Sequence, residues 1–514
     1  MKDISRQVWR NFKRRLKKRL DRRIFEPTVD PIFTARNIHY EMADRTRGLS
    51  CGGLGAIHQI ARSTGLIDAL DRNVQLLKMH LPYHESDHIL NIAYNILTGG
   101  ACLEDLELRR NNEVYLNALG AKRIPDPTTA GDFCRRFVND WQIVRMMDAI
   151  NEVRLKVWKQ QPPAFFEKAV LHADGTIAGT YGECKHGMDI SYKGVWGYHP
   201  LLVSLANTKE PLFLVNRSGN RPSAEEADVY LDKAIELCRK AGFQEILMLG
   251  DTDFTHTWKL DGWDDAGGVK FIFGFDSNSA LERRALELPD SDWKRLVRPP
   301  RYEVKTEERQ KPDRVKEQIV RARGYRNLVL EFEDVAEFQY RPGKCNRDYR
   351  VIVLRKRISV EEGQHQLFKQ YRYFFYITNE REMSAEEVVF TANDRCDQEN
   401  LIEQMKNGVH AMRNPLDNLL SNWAYMVIAS LAWTFKAWFA LLTPTPAGRW
   451  HERYKAQQRE LLKMEFKRFL NNVIQAPCQL VRKSRRIVYR LLSWSPWVEV
   501  LMRTSEALRS PLRC

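Results

Sequence analysis

KAVLHAD (168–174), WGYHPLLVSLAN (196–207), PLFLVNRSG (211–219), AEEADVYLDKAIELCRKAG (224–242) and EILMLG (245–250) follow one another in one stretch, and their order decides the fold. The first three are short apolar runs, read as strands. Lys209-Glu210 makes a short turn between the second and third. Residues 224–242 read as a helix, with acids early, bases late and Gly242 as the stop. EILMLG is a fourth strand and GVKFIFGF (268–275) a fifth. Asp174 ends the first strand and Asp251 directly follows the fourth. In α/β sheets the working groups lie off the strand ends, so these two acids are the first candidates for a site.

Outside this stretch the chain changes character. At 514 residues it is too long for one core, and several domains are expected. Residues 50–160 carry helical periodicity, as in HESDHILNIAYNILTGG (84–100). YRNLVLEFED (325–334), DYRVIVLRKR (348–357) and YRYFFYITN (371–379) read as strands rich in aromatic residues and arginine. Helical pattern returns over 385–442. WAYMVIASLAWTFKAWFALL (423–442) is long enough to cross a membrane, but Lys436 inside it favours a buried core helix. Residues 449–490 carry twelve Lys or Arg against three Glu and read as a basic helical tail.

The net charge of +15 and pI of about 9.3 point to a polyanionic partner. From Lys2 to Arg23 there are eleven bases and two acids, with Trp9, Phe12, Leu16 and Leu20 at helical spacing. No apolar segment follows this start, so no secretory leader is expected. The nine cysteines are scattered singly with no CxxC pair, which suggests reduced thiols rather than zinc or disulfides.

A third acid, Glu399, lies in DRCDQENLIEQMK (394–406). Arg395, Glu399 and Lys406 stand at i, i+4 and i+11, nearly three turns, so one unbroken helix would carry them on one face. Alone, Arg395–Glu399 reads as an ordinary exposed ion pair. Beside Asp174 and Asp251 it completes a set of three carboxylates. Mg²⁺ prefers such hard oxygen ligands, and two ions about 3.5–4 Å apart can activate an attacking oxygen and stabilise a leaving one. Asp253 could face the same side as Asp251 and reads as a helix cap. On the helical wheel Asp397 points away from Glu399, and Glu403 less so. His172 reads as a packed core histidine. Cys184, His186 and Asp189 match no familiar metal spacing. Trp196, Trp258 and Trp263 are candidates for stacking on a displaced base.

These motifs resemble the DDE transposases of bacterial insertion sequences, of the group with a β-rich insertion between the second Asp and the Glu. Asp174-Gly175-Thr176 matches the first motif, and Gly250-Asp251-Thr252-Asp253-Phe254 the second. Arg395, Glu399 and Lys406 match a Tyr-x2-Arg-x3-Glu-x6-Lys signature, with Ala392 in place of the Tyr. The resemblance implies an α/β fold: a ribonuclease-H-like catalytic core with an inserted β-rich subdomain, flanked by helical N- and C-terminal regions. The expected boundaries are a basic arm over 1–48, a helical DNA-binding domain over 49–160, and the first part of the core over 165–290. The insertion follows over 291–383, the last part of the core with the glutamate helix over 384–445, and a basic helical region over 446–514. Asp174, Asp251 and Glu399 are the expected catalytic residues and ligands of two Mg²⁺ (or Mn²⁺) ions, with Arg395 and Lys406 on DNA. The implied partners are the element's terminal inverted repeats, target DNA and a second copy of the chain, in a bacterial cytoplasm at the nucleoid and without a membrane. A nuclease lacking strand transfer and an inactive DNA-binding relative are the rival readings.

Overall fold

The computed structural model describes residues 47–298 and 326–510, less 81, 181, 183, 363, 364, 484, 485, 493 and 494. It also describes residues 10, 11, 14, 15, 318, 319, 322, 323 and 512. The apolar stripe of the basic arm, Trp9, Phe12, Leu16 and Leu20, lies outside the described residues. The chain forms two compact units, one of residues up to Gln161 together with those from Gln404, the other Pro162–Glu403.

The first unit is built round the helix Leu419–Leu441, which is buried from Ser421 to Leu441. Asn418 caps it, its side-chain oxygen accepting from the Ser421 N–H at 2.9 Å. Within the unit it packs against the helices Glu85–Leu97, Asp140–Trp158 and His451–Lys463. Lys436 is tolerated inside this apolar run because its ammonium donates to Leu462 O at 2.8 Å and lies 3.8 Å from the centre of the Trp433 ring. The tail departs from its helical expectation. Cys478–Lys483 and Arg486–Leu491 form an antiparallel hairpin, and the first of these strands also pairs with Gly48–Leu49. Basic residues are compatible with either state, so charge alone could not choose between helix and strand. The segment 384–445 divides at Glu403/Gln404 between the two units.

The second unit holds a mixed sheet of nine strands. They are β1 (Lys168–Gly175), β2 (Leu201–Leu205), β3 (Glu210–Val215), β4 (Glu245–Gly250), β5 (Val269–Phe275), β6 (Lys294–Arg295), β7 (Arg326–Tyr340), β8 (Tyr349–Glu362) and β9 (His365–Thr378). The order across the sheet is β6-β7-β8-β9-β5-β4-β1-β2-β3. β1, β4 and β5 run parallel, and β2 is antiparallel to β1. Every residue of β4 after Glu245 is buried, as a strand covered on both faces requires. Helix α1 (Ala227–Ala241) packs on β1 and β2, and helix α2 (Ala385–Asn393) on β5, β7 and β8. Val388 and Val389 of α2 join Leu247, Leu249, Ile272, Ile352 and Leu354 in one core. A third helix, α3 (Cys396–Glu403), follows α2.

One expectation changes here. WGYHPLLVSLAN is not one strand: Trp196–Tyr198 pairs in a separate small sheet with Ala178–Gly179 and Asp189–Ile190, and β2 starts only at Leu201. Pro200, which has no N–H to donate, stands at the break. The strands expected over 291–383 join the central sheet. β9 pairs with β5, Phe375 opposite Phe275 through Thr378 opposite Ile272, so these strands extend the central sheet.

Trp438 is fully buried in the first unit. Trp438→Ala is expected to lower unfolding stability by about 3–5 kcal/mol, read as a shift of the urea midpoint.

Candidate active site

β1 and β4 are parallel neighbours with His172 opposite Leu249, so two residues further on Asp174 and Asp251 leave the sheet at the same level. Asp174 still belongs to β1, paired with Leu202 of β2. Asp251 starts a short 3₁₀ turn, Thr252–Phe254, and its Oδ1 accepts from the Asp253 N–H at 3.1 Å. The cap expected of Asp253 is therefore supplied by Asp251, and Asp253 itself is exposed. This turn lies directly on β5. A Cβ at Gly274 would stand 2.8 Å from the Thr252 nitrogen and 3.1 Å from the Asp251 carbonyl carbon. Only glycine lets the turn sit so close.

Arg395 joins the two aspartates. Its Nη1 is 3.2 Å from Asp251 Oδ2 and 4.0 Å from Asp174 Oδ2. It sits in the turn between α2 and α3, not within the glutamate helix. Lys406 lies beyond the end of α3, in the π-helical segment Gln404–Gly408 of the other unit. The one-face argument assumed an unbroken α-helix from Arg395 to Lys406, and neither end belongs to one. Ala392, at the signature's tyrosine position, packs against the α2 core.

Glu399 is placed by its neighbour. Gln398 is 1% exposed, donates from Nε2 to Leu202 O at 3.0 Å and accepts from the Ser204 hydroxyl at 2.5 Å. Leu202 is the residue paired with Asp174, so this bond holds α3 beside the strand that carries the first aspartate. The Glu399 charge is felt there, for it helps to raise the Asp174 pKa.

Burial pushes the Asp174 carboxyl up to about 6. Arg395 opposes that rise, while Asp251 and Glu399 add to it. Burial raises Asp251 as well, again with Arg395 opposing. The two aspartates therefore share one guanidinium as their nearest counter-charge, with the Glu399 charge acting on Asp174. Among the described residues no three His, Cys, Asp or Glu side chains form a group able to hold one ion. The donors are nonetheless hard oxygens with excess negative charge, the chemistry that suits Mg²⁺ or Mn²⁺.

The other candidates separate clearly. Asp397 pairs with Lys209 at 3.3 Å. His172 is buried, burial holds its pKa down at about 4, and its Nε2 has no partner. Trp263 is buried and donates to Asp232 at 2.7 Å, whereas Trp196 and Trp258 are exposed. Cys184 is exposed and belongs to no metal group. Sequence reading missed Gln398 and Gly274. Gln398 stands inside DRCDQENLIEQMK, directly before Glu399, whereas Gly274 lies in GVKFIFGF with no local signal.

Two adjacent strand-end aspartates bridged by one arginine at the end of a mixed sheet define a candidate acidic site in an α/β unit. The chain matches the family described as transposase DDE domain group 1 over residues 46–512, and it belongs to that family. The family implies transposition and nuclease activity. A comparison with curated proteins gave no match. Among solved structures, the chain is similar to a piggyBac transposase synaptic complex with hairpin DNA, determined by cryo-electron microscopy. The identity is 12%, the match covers 83% of this chain and 82% of that one, and the TM-score is 0.34, too remote to support an argument.

The raised Asp174 pKa has a sign that can be checked. Folding favours its protonated form, so the penalty is absent below the unfolded value near 4 and grows as pH rises through about 6. In metal-free buffer, Asp174→Asn is expected to stabilise the fold by about 2 kcal/mol at pH 7.5. That gain should vanish by pH 4 in thermal unfolding compared across the range.

Proposed function

We propose that this protein is the transposase of a bacterial insertion sequence, binding that element's terminal inverted repeats and catalysing metal-dependent DNA strand cleavage and strand transfer. The observation that carries the reading is the meeting of Asp174 and Asp251 on Arg395, with the Glu399 charge acting on Asp174. The family membership supports the same chemistry. The strand order β3-β2-β1-β4-β5, with the helix α1 between β3 and β4, supports a ribonuclease-H-like core. β6 to β9 then correspond to the insertion between the second aspartate and the glutamate.

Asp174 and Asp251 would hold one divalent ion between them, and Glu399 would complete a second site. Bound there, Mg²⁺ or Mn²⁺ supplies Lewis acidity to the attacking and leaving oxygens of the phosphodiester. Gln398 keeps Glu399 aimed through its bonds to β2. Arg395 neutralises the aspartates and can turn its guanidinium to a phosphate, for which its planar donors are suited. For Lys406 a DNA phosphate contact is proposed from the sequence signature. Basic segments at both ends of the chain would grip the terminal repeats, and that grip should fall steeply with salt. Two ends must be handled together, so a homodimer on DNA is proposed, working in the bacterial cytoplasm.

The test uses a labelled duplex carrying the element end that flanks this gene. Wild type should nick it only with Mg²⁺ or Mn²⁺. Glu399→Gln should bind it with unchanged affinity and nick more than about 100-fold more slowly. Equal nicking by the two proteins would sink the assignment. Joining of a pre-cut end to a second DNA separates strand transfer from simple hydrolysis.

Gln398→Ala tests the positioning. It should lower the nicking rate about tenfold or more while leaving DNA affinity unchanged. A parallel loss of affinity would mean that the helix itself, rather than its aim, had been lost.

A further inference from the structure

The segment between β1 and β2 leaves the sheet after Gly175 and ends in an exposed hairpin. Asp189–Ile190 pairs with Trp196–Gly197, Ile190 opposite Trp196. The turn between them is closed by Ser191 and Val195, with Ser191 N donating to Val195 O at 2.9 Å and Val195 N to Ser191 Oγ at 3.1 Å. Tyr192 at its tip is 76% exposed, Trp196 54% and Ile190 46%. Lys193 Nζ lies 5.4 Å from the centre of the Tyr192 ring. With Val195, four large apolar side chains are exposed within seven residues, interleaved with a cation, a surface built to be covered.

Its place says what covers it. The Tyr192 ring lies 6.3 Å, centre to centre, from His199. His199 borders the first catalytic motif, since a Cβ at Gly175 would stand 3.2 Å from its Nε2 and 3.0 Å from Ser223 Oγ. His199 is itself fixed. Its Nδ1 donates to Arg221 O at 2.8 Å, which leaves Nε2 as the acceptor facing Ser223 Oγ at 3.4 Å. The loop around it is held by the buried Arg217, whose guanidinium donates to His199 O, Glu225 O and Ser223 O. Asn220 of the same loop donates to Asp189 at the base of the hairpin. An exposed aromatic ring thus stands against the loop that borders Gly175, the residue after Asp174 in β1.

We propose that the hairpin Asp189–Tyr198 is a base-stacking platform of the active site: Tyr192 stacks on an unpaired base next to the cleaved phosphodiester, and Lys193 contacts the adjoining phosphate. The inference rests on the proposed DNA-cleaving function of Asp174, Asp251 and Glu399 and adds a residue for holding the strand. Stacking on tyrosine is sequence-tolerant, because every base has a π-face. The ring therefore holds the strand without reading it. The lysine beside the ring supplies the charge that a strand of phosphates requires, and no acid in the turn opposes it.

The test uses the Glu399→Gln protein, so that the DNA stays uncut, and a duplex of the element end with a 3′ overhang carrying 2-aminopurine at its first unpaired base. Binding should quench the 2-aminopurine fluorescence. Tyr192→Phe should keep the quench, and Tyr192→Ala should lose it and bind the overhang about tenfold more weakly. A fully paired duplex should be bound equally by all three proteins. Tyr192 is too exposed for its removal to unfold the chain, and a thermal melt of each variant checks this. An unchanged quench and affinity in Tyr192→Ala would overturn the platform. Wild-type nicking distinguishes the two failures: with metal-dependent nicking intact only the platform falls, and without it the catalytic reading falls first.

Discussion

Two carboxylates side by side at the end of a buried sheet are unfavourable as ions, and the architecture of the unit that carries them is an answer to that. Asp174 and Asp251 cannot move apart, since their strands are hydrogen-bonded neighbours in fixed register. Desolvation and mutual repulsion both favour protonation. Arg395 is the counter-charge, at 3.2 Å from one aspartate and 4.0 Å from the other. It does not fully offset the burial, because Asp174 still titrates near 6. Oxygen donors with excess negative charge are the chemistry that suits a hard cation. The same excess is a cost to the free fold, and such strain is commonly concentrated where function requires it.

The remaining features bring the third acid and the turn to this pair. A helix such as α3 could slide along the sheet if only apolar contacts held it. Gln398 removes that freedom with two buried hydrogen bonds to β2, one of them to the residue that pairs with Asp174. A buried amide left half-satisfied would be costly, so its two bonds specify one position for α3. On the other side, the absence of a side chain at Gly274 lets the Asp251 turn lie on β5. One glutamine and one glycine thus set the geometry that the acids need.

Much of this was legible in the sequence where the information is local. KAVLHAD and EILMLG are apolar runs ended by an acid, and both became strands with the acid at the exit. The helix of α1 was marked by early acids, late bases and a glycine stop. What pairing across long separations decides was not legible. Nothing local in YRYFFYITN says that β9 will hydrogen-bond to β5 and extend the central sheet. The basic tail could be a helix or a hairpin, and the pairing of Cys478 with Leu491 decided it. Gln398 reads as a surface residue among charged neighbours, yet it is buried because β2 offers it both a donor and an acceptor. Arg395 was picked out as a phosphate ligand by its spacing. Its pairing with the aspartates could only come from the turn between α2 and α3.

Arg217 illustrates how the same unit handles a buried charge away from the acids. Burial lowers its pKa to about 10, which still leaves it charged at neutral pH. Its donors meet the carbonyls of three residues, His199, Ser223 and Glu225. A lysine could not do this, since three carbonyls spread round one planar fork require fixed, divergent N–H groups. Carbonyl partners also keep the charge from competing with Arg395 for the aspartates. The loop is thereby made rigid by a cation that stays out of the catalytic pair. This explains how the loop that borders Gly175, and through Asn220 the base of the hairpin, is held by a cation through main-chain carbonyls.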